Sequence, residues 1–114
     1  MTEILNVTDV KSQVKPIPTT ILLNQNYPNP FNPSTTISYG LPKNSTVSLK
    51  IYNVLGQQVE NLVEGEQSAG WQSVTWNVPQ GGISTGLYFY RLEAVDAANP
   101  NNRFMQVKKM LLLK

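Results

Sequence analysis

The sequence predicts an all-β domain, a seven-stranded antiparallel β-sandwich of immunoglobulin-like (fibronectin-III-like) type. Three observations carry this expectation. Apolar residues alternate with polar ones over short runs, as in half-buried strands. Clusters of Pro, Gly, Asn and Asp separate those runs at regular intervals. No stretch shows helical periodicity. The Cys–Trp–Cys core of antibody domains is missing because the chain has no cysteine, so the likeness is one of architecture.

Residues 1–18 read as a linker, partly ordered or flexible. Ile4, Leu5, Val7, Val10 and Val14 give it some apolar content, but Lys15-Pro16-Ile17-Pro18 ends any regular element. The domain is expected over 19–114. Thr19 to Leu23, β-branched and apolar, reads as a first strand. Next comes Asn26-Tyr27-Pro28-Asn29-Pro30-Phe31-Asn32-Pro33. Its prolines fix φ and push the residues before them into extended geometry, so it forms neither helix nor central strand. A solvated linker rarely carries two aromatics. A rigid loop is expected here, anchored at both ends by Tyr27 and Phe31.

Ile37, Tyr39 and Leu41 alternate with Ser38 and Gly40 as a second strand. Pro42 to Ser45 is turn chemistry. Val47, Leu49 and Ile51 make the clearest strand, turned by Asn53-Val54-Leu55-Gly56, where the glycine can take positive φ. Gln57 to Val63 returns, with a phase change between Val59 and Leu62-Val63 that predicts a bulge. Glu64 to Gly70 reads as a polar loop. Trp71 to Asn77 is the next strand, with Val74 and Trp76 on one face. Residues 78–86 form a loop, Gly86 to Val95 a long strand, Asp96 to Asn102 a hairpin loop, and Arg103 to Lys114 the final strand.

Composition narrows the function. Charged residues are only 14% and the net charge is +2, too little to argue for nucleic acid or an anionic membrane. No basic run exceeds Lys108-Lys109. The chain has neither histidine nor cysteine, which removes the commonest general base, thiol catalysis and thiolate metal sites. No apolar stretch approaches the roughly 20 residues of a membrane span, and residues 1–20 hold no signal-peptide core. The carboxylates are Glu3, Asp9, Glu60, Glu64, Glu66, Glu93 and Asp96. Glu64 and Glu66 are the nearest to a pair, and a solvated surface explains them better than a catalytic dyad. Asp96, followed by asparagines, lacks the clustered carboxylates of a calcium loop. No enzyme and no cofactor are expected. Trp71, Trp76, Tyr88, Phe89 and Tyr90 offer a platform for sugar stacking, but a sandwich without disulfides needs such rings in its core.

Five segments in order resemble the type A C-terminal sorting domains of the type IX secretion system. They are Asn26 to Phe31 with Ile37 and Leu41-Pro42; Val47 to Gln57; Trp76-Asn77; Gly86 to Leu92; and Lys108 to Lys114. The resemblance covers roughly residues 22 to 114. It implies a monomeric sorting signal fused behind a cargo domain and exported through the periplasm to the outer membrane, cell surface or medium. It implies as partners the outer-membrane translocon, a shuttle protein and a sortase-like peptidase cutting between Val14 and Thr20. The Asp96–Asn102 insertion departs from the family pattern and leaves the register of the final strand open. In this family the last residues belong to the signal. The resemblance therefore implies partner recognition by Lys109, Met110, Leu111, Leu113 and Lys114, together with Asn29, Pro30, Phe31, Gly86 and Tyr88. Of these, Gly86 reads as a backbone requirement and Tyr88 as a candidate for the core. The alternative is a non-catalytic carbohydrate-binding or structural immunoglobulin-like accessory module of a larger secreted enzyme.

Overall fold

The structure, a computed structural model, describes residues 16–114. Most of the expected linker, residues 1–15, lies outside the described residues. Seven strands form: β1 Leu22–Leu23, β2 Ser34–Leu41, β3 Ser45–Tyr52, β4 Gln58–Gln67, β5 Gly70–Asn77, β6 Gly86–Asp96 and β7 Arg103–Leu112. They pair antiparallel as two sheets, β1-β2-β5 and β4-β3-β6-β7. The expected all-β sandwich is what the chain adopts, with no helix among the described residues.

The period-two pattern fixes which side chains face inward. Ile37, Tyr39 and Leu41 from one sheet meet Val47, Leu49, Ile51, Tyr90 and Leu92 from the other, all essentially inaccessible to solvent. Burying such side chains contributes about 1.5–3 kcal/mol each before the entropy of ordering is subtracted. The β3–β6 pairing sets Leu49 opposite Leu92 and Ile51 opposite Tyr90, so alternate residues of both strands share the core face.

The bulge expected in β4 is present. Leu49 pairs with Val63 and Lys50 with Asn61, leaving Leu62 as an extra residue. A second irregularity follows, where Ile51 pairs with Glu60 and Tyr52 with Gln58. Two features differ from expectation. Glu64 to Gly70 is not a loop: β4 runs on to Gln67 and only Ser68 and Ala69 turn the chain into β5. The stretch is polar because β4 is a sheet edge, with Glu64 and Glu66 in solvent opposite Ser48 and Thr46. The first strand is also shorter than expected, two residues rather than five. Residues 16–18 instead lie against the β2-β5 sheet. Pro18 is buried, and a Cβ on Gly40 would come within 2.5 Å of its ring. Trp71 Nε1 donates to the Pro16 carbonyl at 3.1 Å.

Candidate functional site

The proline-rich loop and the final strand, some eighty residues apart, meet at one end of the sandwich. Phe31 is the pivot. Its ring is 2% exposed and packs at 5.8 Å from Trp76, which in turn meets Tyr88 edge-on at 6.1 Å. Its backbone makes a parallel bridge to β7: Phe31 N–H donates to the Leu111 carbonyl and Leu113 N–H donates to the Phe31 carbonyl, both at 3.0 Å. Asn29 Oδ1 accepts from Leu111 N–H at 3.0 Å, and Gln25 Nε2 donates to the Lys109 carbonyl at 2.8 Å. The outer edge of β7 over 109–113 is thus already paired. An unpaired edge there would invite strand addition, and this loop covers it.

The loop is held from below by Tyr90. Its hydroxyl donates to the Asn24 carbonyl at 2.7 Å and accepts from Asn26 N–H at 2.9 Å. Burial pushes the Tyr90 phenol up to about 12, opposed by the Asn26 backbone bond, so the ring stays neutral and able to donate. Asn26 and Thr35 are buried polar residues with their needs met. Asn26 Nδ2 donates to Thr35 Oγ1 at 2.9 Å and to the Pro28 carbonyl at 3.1 Å, and Thr35 Oγ1 donates to the same carbonyl at 2.9 Å. These bonds define the loop's shape, since an unsatisfied buried donor would cost about 1–3 kcal/mol.

Tyr27 is not the second anchor that the sequence suggested. Its ring is 80% exposed, and its backbone does the fastening instead, exchanging two 2.9 Å bonds with Thr36.

All ten residues implied by the resemblance lie at this end, and burial divides them. Phe31, Tyr88 and Met110 face the core. The Tyr88 hydroxyl donates to the Ser84 carbonyl at 2.6 Å. Gly86, opposite Leu112, has φ 155°, which side chains resist, while a Cβ there would touch nothing. Asn29, Pro30, Lys109, Leu113 and Lys114 are exposed and Leu111 is half-buried. Lys114 N–H donates to Thr85 Oγ1 at 2.9 Å, which fastens the final residue to the loop before β6.

Sequence reasoning missed the positioning roles of Gln25, Asn26, Thr35 and Tyr90. A signal existed in the two amides, Gln25-Asn26, that directly precede the prolines.

Other candidates dissolve into structure. Trp76, Tyr88 and Tyr90 are core, which leaves Trp71 and Phe89, both half-buried, from the aromatic platform. The Ala98 backbone N–H holds the Asp96 carboxyl below its ordinary range, and Asp96 Oδ1 accepts that bond at 2.9 Å, tying down its own hairpin loop. No cluster of metal-ligating side chains occurs among the described residues.

The sequence model of the secretion system C-terminal sorting domain family matches residues 25–108. The chain belongs to this family, the C-terminal sorting domains of type IX secretion. The match takes in the proline-rich loop, the hairpin between β3 and β4, and β6. Comparison with curated proteins found no match. Among solved structures, CopC from Methylosinus trichosporium OB3b is similar at TM-score 0.50 and 12% identity, over 82% of this chain and 93% of that one. At that identity the likeness speaks for the sandwich fold alone.

Proposed function

We propose that this domain acts as a folded export signal in cis. It carries a cargo protein joined ahead of residue 19 from the periplasm across the outer membrane, and it is read as a monomer without catalysis or cofactor. The observation that supports this reading is the junction of the Asn29–Phe31 loop with Lys109–Lys114. Two segments far apart in sequence form one rigid surface, with Asn29, Pro30, Lys109, Leu111, Leu113 and Lys114 facing outward and Phe31, Tyr88, Gly86 and Met110 as its frame. A preformed surface binds with less ordering cost than a loose tail. The translocon and a shuttle protein would read this surface. A sortase-like peptidase would then cut between Val14 and Thr20. Pro18, buried against Gly40, shields the downstream part of that stretch and favours a cut before it.

Simple removal of residues 109–114 would also remove Met110 and Leu112 from the core. The test is therefore the surface variant K109E/L113N/K114E in a reporter fusion. Export should fall about ten-fold or more, with unchanged thermal stability. Wild-type export of this variant would refute the reading of the surface.

A further inference from the structure

The tip of the β3–β4 hairpin breaks a local rule. Residues 53–56 form a tight turn, with Gly56 N–H donating to the Asn53 carbonyl at 3.0 Å and Gly56 at φ 80°. The central positions of such a turn favour Asn, Asp, Ser, Gly or Pro. Here they are Val54 and Leu55, 64% and 78% exposed. Neither side chain serves the core, and a local misfit without a packing reason points to function.

The tip is also rigid. Asn53 Oδ1 accepts from Leu55 N–H at 2.9 Å and from Gln57 N–H at 3.0 Å, and Asn53 N–H donates to the Gln57 carbonyl at 3.0 Å.

Val54 and Leu55 do not stand alone. With Val59, Ile83 and Leu87 they line an open groove of about 290 Å³. Thr85, on the wall of that groove, holds the backbone of Lys114. Leu87, 38% exposed, lies opposite Leu111, and Leu113, 46% exposed, directly precedes the Lys114 that Thr85 holds. Of the nearby cations, Arg91 shares a shallow groove with Val54 and Gly56, Lys114 is tied through its backbone to Thr85, and Lys109 lies opposite Phe89. Glu64 and Glu66, opposite Ser48 and Thr46, and Asp96, opposite Ser45, sit toward the far end of the sheet, whereas Glu60 lies opposite Ile51 nearer the tip and Glu93 stands 4.0 Å from Arg91.

We propose that the β3–β4 hairpin tip is a docking knob for a protein of the outer-membrane export machinery. Val54 and Leu55 enter an apolar pocket on that protein, and carboxylates at the pocket's rim meet Lys109 and Lys114. This rests on the sorting reading above and extends its surface to a segment that reading did not include. Strand addition to β7 over 109–113 is blocked by the Phe31 bridge. Recognition at this end therefore falls to side chains, and the tip offers two adjacent exposed aliphatic ones, Val54 and Leu55. Central, fully desolvated apolar anchors dominate such interfaces, while rim charges act mainly on encounter rate.

The test compares three reporter fusions of this chain in strains with and without a working type IX system. They are the wild type, V54N/L55N and K109E/L113N/K114E. Asparagine suits the turn, so V54N/L55N should match the wild-type melting temperature. The expected result is type IX-dependent export of the wild type and about ten-fold or greater loss with V54N/L55N. Normal export of V54N/L55N alongside failure of the lysine-leucine variant overturns the knob and leaves the sorting reading standing. Wild-type reporter retained in the periplasm of both strains overturns both.

Discussion

Replacing Tyr90 with Phe removes one oxygen and tests how the recognition loop is held. That oxygen bonds the Asn24 carbonyl at 2.7 Å and the Asn26 N–H at 2.9 Å. The two losses are unequal. Asn24 is exposed, so water can take over its carbonyl. Asn26 is 2% exposed, so its N–H is left with no acceptor. An orphaned buried donor costs about 1–3 kcal/mol, and the lost bond to Asn24 adds a fraction of the usual 0.5–1.5 kcal/mol or so. The sum is about 2–3 kcal/mol, a large share of the roughly 5–15 kcal/mol available to a domain of this size. The melting temperature should fall by about 10–20 °C. Urea denaturation gives the stability directly. Amide exchange should also localise the damage: Phe31, Leu111 and Leu113 should lose more protection than residues in β3. A stability within about 0.5 kcal/mol of wild type, with those amides unchanged, would refute the reasoning and leave the loop held by its other bonds and by Phe31.

The same hydroxyl predicts a pH dependence. Burial raises the phenols of Tyr90 and Tyr39 to about 12, above the ordinary 10.0. The folded state thus resists an ionisation that the unfolded chain undergoes freely. Stability should be level below about pH 10 and fall between about pH 10 and 12. The urea midpoint should drop over that window, and less steeply in Y90F; equal slopes would contradict the assignment. Gly40→Ala places a Cβ 2.5 Å from the Pro18 ring and 3.0 Å from Trp71. It should cost about 1–3 kcal/mol and displace Pro18. Unchanged stability would show that Pro18 is not held there.

The strands were legible because each has one wet face. Ile37-Ser38-Tyr39 and Val47-Ser48-Leu49-Lys50-Ile51 alternate cleanly, and their register follows from that alternation. The Val59 to Val63 phase change revealed the bulge for the same reason. Glu64 to Gln67 misled because an edge strand has little apolar side to display. Its membership is set by pairing with β3, which local sequence does not encode. Thr19 to Ile21 have strand propensity, yet the pairing of this segment with β2 is confined to Leu22 and Leu23.

At the site, the sequence supplied the parts through their family likeness but not their joining. Nothing local to Asn29 or Gln25 says that the loop caps β7, because those bonds span more than eighty residues. Tyr27 and Phe31 look alike in sequence, and only the sandwich decides that one is buried and the other is not.

The most direct measurement of the central claim is export itself. The chain is fused behind a fluorescent reporter bearing a periplasmic signal peptide, and surface plus medium fluorescence is compared between a type IX-competent strain and its secretion-null counterpart. Reporter should appear outside the cell only in the competent strain, and only when the domain is attached. Intact, folded fusion remaining in the periplasm of both strains would contradict it.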